Sequence, residues 1–355
     1  MIKKILCIGQ YKKPSNAYLR TLSFEQLGYK VERIDVSDKI SGHNIILRIL
    51  RRLYRPTLIR VLVKLIKKKI DSFSPDLIFI EKGVQFSAKN LIFFKSSVMN
   101  HVKIMHLNPD DPFGEFGNGW GKFVSSIPFY DIHFVPKEIN RSEYLKLGAQ
   151  SVYVYDRSFS PNYHKPVNLS KSEVEFFGCR VGFIGAFSPY RESVIYAMIC
   201  EGIDVAIWGD GWSNGKYWNK LKPYFRGPSQ VGEDYPKAIS GMEIALHFVR
   251  HENRDLQDSR SFEIPACGSF MLAERTTDHE KLFIEDVEAV FFNSPEECVE
   301  KCRFYLENAG LRKKIAEAGM QRVHNSKYDY TSRLKEMIEA TNNNNIKKGY
   351  WNGVR

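Results

Sequence analysis

Acidic residues are missing from one long stretch of this chain. None lies between Asp38 and Asp71, while nine Lys or Arg fall between Arg48 and Lys69. Over the whole sequence Lys+Arg outnumber Asp+Glu by 52 to 41, a net charge of +11. That excess predicts an anionic partner such as a nucleotide, a phospholipid surface or a nucleic acid. Aromatics are few in the basic stretch, which argues against single-stranded nucleic acid, where bases stack on rings. Also lacking is any apolar run near the ~18 residues of a membrane span. Ile5-Leu-Cys-Ile8, after Met1-Ile-Lys-Lys4, is too short for the core of a secretory signal, so a cytoplasmic protein is expected. Cysteine is sparse: six residues (7, 179, 200, 267, 298 and 302), no C-x-x-C pair, and no His or Cys cluster beside Cys298 and Cys302. Reduced thiols and no metal site follow from that. The first glycine-bearing turn does not spell G-x-G-x-x-G, so a dinucleotide site there is unsupported. The Gly114–Gly121 loop lacks the Lys-Ser/Thr of a Walker cradle.

What is present alternates strand and helix. Lys4–Gly9 reads as a buried strand, Tyr18–Leu27 as a helix stopped by Gly28, and Val31–Val36 as a second strand. That order opens a doubly wound parallel sheet. Ile45–Ile70 is basic and amphipathic, and Pro56 is expected to split it into two helices. Such a surface can rest on anionic headgroups or simply be the solvated face of a helix on the sheet. Strands at Asp76–Ile80, Lys103–Leu107, Tyr130–Val135 and Val152–Tyr155 continue the winding, with a helix over Arg141–Gly148. His106, Asp110 and Asp111 fall at or just beyond the carboxyl end of the fourth strand. They form either a catalytic or acceptor-binding loop, or a Pro/Asp turn that reverses the chain.

Ser158–Ser172, with Pro161 and Pro166, reads as a linker, after which the winding restarts. Strands are expected at Cys179–Gly185, Val205–Trp208, Ile244–Val249, Phe270–Ala273 and Ala289–Phe292. Helices are expected near 191–201, 295–306, 311–323 and 330–340. The implied domains are 1–160, 173–328 and a terminal helix and tail over 329–355. In the second half, glycine and polar residues gather at strand carboxyl ends: Gly185, Arg191, Gly209 and Trp212, then Asp255, Arg260, Ser261, Phe262 and Glu263. Ser261 is expected to cap a short helix, Pro265 to sit in its first turn and Gly268 to stop it. An arginine at a helix entrance suits a phosphate and a carboxylate suits a ribose diol. The plainer alternatives are a dipole-complementing Glu263, an Arg260 paired with a neighbouring acid, and a Trp212 that covers the core.

The second half resembles the CgeB-like glycosyltransferases of the GT-B fold, akin to glycosyltransferase group 1. The resemblance rests on Phe183-Ile-Gly185 with Arg191, Trp208-Gly-Asp-Gly-Trp212, Tyr235-Pro-Lys-Ala-Ile239 and above all Ser259-Arg-Ser-Phe-Glu-Ile-Pro-Ala-Cys-Gly268. It implies two Rossmann-like α/β domains facing a central cleft. It also implies transfer of a sugar from a nucleotide-sugar donor, held by the second domain, to an acceptor hydroxyl at the first. No metal and no resident cofactor are expected. Glu263 matches the second acid of the group's paired-acid motif, which holds the ribose. Asp255 stands where that group has Glu. Arg191 and Arg260 would hold the diphosphate in place of the usual lysine. If the reaction inverts configuration, Asp111, Asp110 or His106 is the candidate base. A surface polysaccharide or lipid-linked glycan is the expected product, made at the inner face of the membrane, with no role for nucleic acid. The alternatives are an epimerase or phosphorylase of the same fold, and a non-catalytic nucleotide sensor at a membrane surface.

Overall fold

The structure, a computed structural model, describes residues 2–36, 45–99, 101–115 and 119–342, and for residues 45–55 the backbone alone. In chain order its elements begin with β1 (Lys4–Gly9), α1 (Asn16–Gln26), β2 (Lys30–Asp35), α2 (Ile45–Phe73), β3 (Leu77–Glu81) and α3 (Ala88–Ser96). Next come β4 (Lys103–Leu107), α4 (Gly121–Ser126), β5 (Ile132–Val135), α5 (Glu138–Lys146) and β6 (Val152–Val154). The second half holds α6 (Lys171–Phe177), β7 (Cys179–Ile184), α7 (Pro189–Cys200), β8 (Val205–Trp208), α8 (Trp218–Leu221), β9 (Phe225–Gly227) and α9 (Asp234–Ser240). It continues with β10 (Met242–His247), α10 (Arg260–Ala266), β11 (Met271–Glu274), α11 (Thr277–Leu282) and β12 (Val290–Phe292). The helices α12 (Pro295–Glu307), α13 (Ala309–Asn325) and α14 (Tyr330–Asn342) close the chain.

Two compact units result. One comprises Met1–Asp156, His251–Arg254 and Tyr330–Arg355, the other Arg157–Arg250 and Asp255–Asp329. The first holds a parallel sheet in the order β2-β1-β3-β4-β5-β6, the second a parallel sheet in the order β12-β11-β10-β7-β8-β9. Strands buried on both faces read as continuous apolar runs, which is why β1, β3, β7 and β10 stand out in the sequence. Their side chains still alternate. Leu6 and Ile8 enter the core under α2 and α3, while Ile5 and Cys7 enter the core under α1 and α14. In the second unit Ile244 and Leu246 point to one core and Ala245 to the other.

Four features differ from the sequence reading. Pro56 lies inside one continuous helix, α2, and does not divide it. Ile59, Leu62, Ile66, Ile70 and Phe73 are buried at helical spacing, and that anchoring outweighs one lost backbone bond. The stretch 158–172 is no loose linker. Phe159 is fully buried in the second unit's core, and its N–H donates to the Tyr328 carbonyl at 3.2 Å. The last helix, α14, is not set apart from the domains. Leu334, Met337 and Ile338 enter the first unit's core, and Arg20 lies over the Tyr330 ring at 4.9 Å. Arg20 is itself buried against Glu81 at the end of β3, at 2.9 Å. Finally, β9 and the helices α3, α4, α6, α8, α9 and α11 are elements that hydrophobic periodicity did not single out.

Candidate functional site

In the first unit, β4 ends at Leu107 and the chain turns through Asn108-Pro-Asp-Asp-Pro112. The turn is built by side chains bonding backbone. Asn108 Oδ1 accepts the Asp110 N–H at 3.2 Å, and Asp111 Oδ1 accepts the Phe113 N–H at 2.9 Å. Asp111 is buried and saturated. Arg254 donates to both its oxygens, Nε at 2.6 Å and Nη2 at 2.9 Å, and Asn140 adds a bond at 2.9 Å. Burial would raise its pKa, but the Arg254 guanidinium, the Phe113 N–H and Asn140 together hold it below the usual carboxylate range. A base so stabilised as an anion is a weak proton acceptor, so the structure gives Asp111 the work of a clamp. Asp110 is half-exposed, with Lys82 Nζ 2.7 Å from its carboxylate.

His106 points the other way, into the core. It is fully buried between Phe123 and Tyr130, and its Nδ1 lies 2.9 Å from Nδ1 of His133. Burial, then the neighbouring His133, pushes its pKa well below the ordinary value. A neutral imidazole with no exposed face cannot take a proton from an acceptor, so the expectation for His106 is corrected to a packing role.

In the second unit the carboxyl ends of β7, β8, β10 and β11 share one edge. Gly185 and Gly209 cross there: the Gly185 N–H donates to the Trp208 carbonyl, and a Cβ on Gly209 would collide with the Gly185 carbonyl. Gly209 also has φ +152°, in the region that favours glycine. A Cβ on Gly185 would meet the Phe183 ring. Both glycines are therefore required by chain packing, whatever binds nearby. Trp212 lies in the core with its Nε1–H donated to the Gly185 carbonyl at 2.9 Å, between Phe183 and Phe187. It is 1% exposed and offers no face to a nucleobase, which corrects the stacking expectation. Arg191, on α7, donates Nη1 to the Ala186 carbonyl at 2.9 Å. Its Nη2 donates to the carbonyls of Phe248 and Val249 at 3.1 and 3.3 Å. The guanidinium thus ties the ends of β7 and β10 together.

The helix α10 carries a dense polar cluster. It has seven residues, and Ser259 precedes it without a side-chain cap bond. Ser261 is no cap and Pro265 lies near the end of the helix, so both local expectations are corrected. Gly268 follows with φ +75°, as a helix stop. Phe262 is fully buried against Tyr328, a core residue with no surface for a ligand. Asp255 is buried, and its N–H donates to the Arg250 carbonyl at 3.1 Å. Glu263 is 4% exposed; Tyr235 of α9 donates to its Oε2 at 2.8 Å. On the other side His164 Nε2 stands 3.8 Å from Oε1. His164 Nδ1 accepts the Ser160 N–H at 3.0 Å, so the neutral ring carries its proton on Nε2, the atom nearest Glu263. The Tyr235 hydrogen bond holds the carboxylate, and the His164 N–H faces it at a distance too long for a hydrogen bond.

Ser261 Oγ joins three partners: the Asp258 N–H at 3.1 Å, His247 Nε2 at 3.0 Å and His279 Nε2 at 2.9 Å. Hydrogen directions follow from one fixed end. His279 Nδ1 lies 2.7 Å from the Glu274 carbonyl and must donate to it. Burial, the largest influence, lowers the pKa of His279 and takes that of His247 down to about 3, so both rings are neutral. His279 Nε2 therefore accepts from Ser261, and Ser261 accepts from His247 Nε2–H. Asp258 is held below its ordinary range: burial opposes ionisation, but His247, Arg260 and the Arg260 N–H overcome it. With the imidazole neutral, Arg260 is the lasting charge. Its Nη1 donates to Asp258 Oδ2 at 3.2 Å, while its buried Nε–H has no hydrogen-bond partner among the described residues.

The structure thus gathers Glu263, Arg260 and Ser261 with Tyr235, whose motif carried the resemblance but no assigned role, and with three histidines the sequence reading passed over: His164, His247 and His279. His247 was visible as the polar last residue of an otherwise apolar strand. His164 lay in a segment read as linker, and no local pattern marked it.

Residues 191–339 match the family model described as glycosyl transferase-like. No curated protein matches the chain. Several solved structures do, all at low identity. Sucrose-phosphate synthase from Thermosynechococcus elongatus is 9% identical over 95% of this chain and 98% of its own, with a TM-score of 0.68. A glycosyltransferase from Rickettsia africae is 14% identical over 96% and 98%, with a TM-score of 0.63. Anabaena HepE in complex with UDP-glucose is 13% identical over 95% and 98%, with a TM-score of 0.62. Two parallel six-stranded sheets, each wound with helices, together with these likenesses over nearly the whole chain, identify the fold as GT-B.

Proposed function

We propose that the protein is a glycosyltransferase that takes a sugar from a nucleoside-diphosphate donor and places it on an acceptor hydroxyl. Support comes from the family match over 191–339 and from the UDP-glucose bound by the similar HepE. The observation that carries the reading is the pairing, on one short helix, of Glu263 and Arg260. The carboxylate is oriented by the Tyr235 hydrogen bond, with His164 facing it, and the guanidinium keeps a buried Nε–H free of protein partners among the described residues. A carboxylate so held accepts from the two hydroxyls of a ribose. A guanidinium with an unused N–H takes a phosphate oxygen, and leaving that donor unmet costs about 1–3 kcal/mol.

In the reaction the acceptor oxygen bonds to the anomeric carbon as the bond from that carbon to the diphosphate oxygen breaks. Charge grows on the departing diphosphate, and a preplaced cation lowers the barrier. Arg260 fills that part without a metal; Arg191, committed to three carbonyls, holds the strand ends in register. If configuration inverts, the acceptor proton passes to Asp110, the half-exposed acid of the pair. If it is retained, the proton leaves with the diphosphate and Asp110 binds acceptor hydroxyls. The resemblance over Ser259–Gly268 supports reading the chain as one of the CgeB-like group. We read the acceptor as a surface polysaccharide or lipid-linked glycan on the cytoplasmic face of the membrane, reached through the basic segment 45–70. No described helix is long and apolar enough to cross a membrane.

Calorimetry with UDP, GDP, ADP, CDP and dTDP tests the donor half. Binding of one of them, weakened in Glu263→Ala, is expected; no binding of any would end the proposal. Product analysis with the donor alone separates transfer from epimerisation, since an epimerase alters the donor without an acceptor.

A further inference from the structure

On the first sheet, α2 and α3 cover the same face, because Leu62, Ile66, Ile70, Leu91 and Phe94 enter one core. Each helix turns an outer stripe to solvent. On α2 the exposed positions include Arg60, Val61, Lys64, Leu65 and Lys68; on α3 they are Lys89, Ile92, Phe93 and Ser96, with Met99 just beyond. Both stripes follow helical spacing and mix cations with large apolar side chains. Val61 is 54% exposed, Phe93 40% and Met99 71%, values unlike a solvated helix face.

Charge on this layer is one-sided. No acid occurs from residue 39 to 70 or from 82 to 109. Three of its lysines are neutralised locally: Lys67 by Asp71, Lys69 by Glu32 and Lys95 by Asp131. Arg60, Lys64, Lys68 and Lys89 form no ion pair with a described residue. So, among the described side chains, these four cations left over are on the outer stripes, interleaved with the exposed apolar groups.

We propose that this two-helix layer is a docking surface for an anionic lipid bilayer. Arg60, Lys64, Lys68 and Lys89 meet the headgroups, while Val61, Leu65, Ile92, Phe93 and Met99 enter the headgroup–acyl boundary. A nucleic acid fits less well, because aliphatic side chains between the cations have no partner on a sugar-phosphate strand. The surface deepens the functional reading in one respect only, the placing of the acceptor at a membrane; lipid binding itself stands apart from donor chemistry.

The experiment uses the full chain and vesicles of phosphatidylcholine, alone or mixed with phosphatidylglycerol, read by co-sedimentation over a salt series. Nucleotide calorimetry on the same preparations runs beside it. Partition onto the mixed vesicles, absent from phosphatidylcholine alone and falling with salt, is expected. Each cation near the surface contributes about fivefold to partition, so Lys64→Gln with Lys68→Gln lowers it about 25-fold. Phe93→Ser with Met99→Ser weakens the binding that survives high salt, and neither pair changes the melting temperature or nucleotide binding by more than a small margin. Equal sedimentation with both vesicle types, wild-type partition by the Lys64/Lys68 variant, or tighter binding to a single-stranded oligonucleotide than to vesicles overturns the proposal. Failure of nucleotide binding with lipid binding intact would instead strike the transferase reading.

Discussion

His247 offers a direct test of the polar network around Ser261. In the folded protein burial takes its pKa down to about 3; in the unfolded chain an imidazole titrates near 6.5. The folded pKa is the lower one, so the unfolded state takes up the proton first. The stability that comes from keeping the ring neutral is complete above pH 6.5 and is lost as pH falls toward 3. At pH 5 the unfolded imidazole lies 1.5 pH units below its pKa while the folded one is still neutral. With ~1.36 kcal/mol per unit, that is about 2 kcal/mol. The variant His247→Gln keeps an N–H for Ser261 and removes the titration. Urea unfolding of both proteins at several pH values from 8 to 5 gives the difference directly. The wild type should lose about 2 kcal/mol more than the variant across that range. Identical pH slopes would mean that His247 is wetter than its position implies, and the hydrogen directions assigned through Ser261 would fall with it.

Three further outcomes follow from the same structure. Arg254→Ala leaves the Asp111 carboxylate buried beside Asn140 without its bidentate partner, and should cost about 3 kcal/mol in thermal or urea unfolding, with Arg254→Lys restoring little. Glu263→Ala should weaken nucleotide binding by about 1–3 kcal/mol in calorimetry, with Tyr235→Phe moving the same way and by less. The buried His106–His133 pair makes three contacts that each call for an N–H, to Lys82 O at 3.2 Å, to Ile127 O at 2.9 Å and between the two Nδ1 atoms. Burial lowers the pKa of His133 to about 4, so two neutral rings bring only two protons, and the longest contact goes without. Nitrogen NMR of labelled histidine should show His106 protonated on Nδ1 and His133 on Nε2; Nε2–H on both rings would refute the count.

The sheets were legible because their strands are buried on both faces. Lys4–Gly9, Lys103–Leu107 and Val205–Trp208 emerge with the bounds their apolar runs imply. β9, three residues long and only partly buried, left no such run. Pro56 misled because local backbone preference is weaker than five buried anchors on the same helix. At the site, residue type was legible and direction was not. Asp110 and Asp111 are adjacent and chemically alike, yet one reaches Lys82 and the other Arg254, more than a hundred positions away along the chain. Gly209 was singled out for a ligand, whereas the atom it accommodates is a neighbouring carbonyl. His164 acquires its meaning from Ser160 and Glu263 together, and no spacing rule connects those three.

The path of the polypeptide has a practical corollary. Residues 1–156 carry every strand of the first sheet, yet Arg254 and the helix α14 reach that unit from much later in the sequence. A fragment cut at Asp156 would leave the Asp111 carboxylate without its guanidinium and strip the covering from Leu334, Met337 and Ile338's side of the core. Synthesis must therefore pass the last turn of α14 before this half can close, and dissecting the protein calls for point variants rather than a pair of expressed halves.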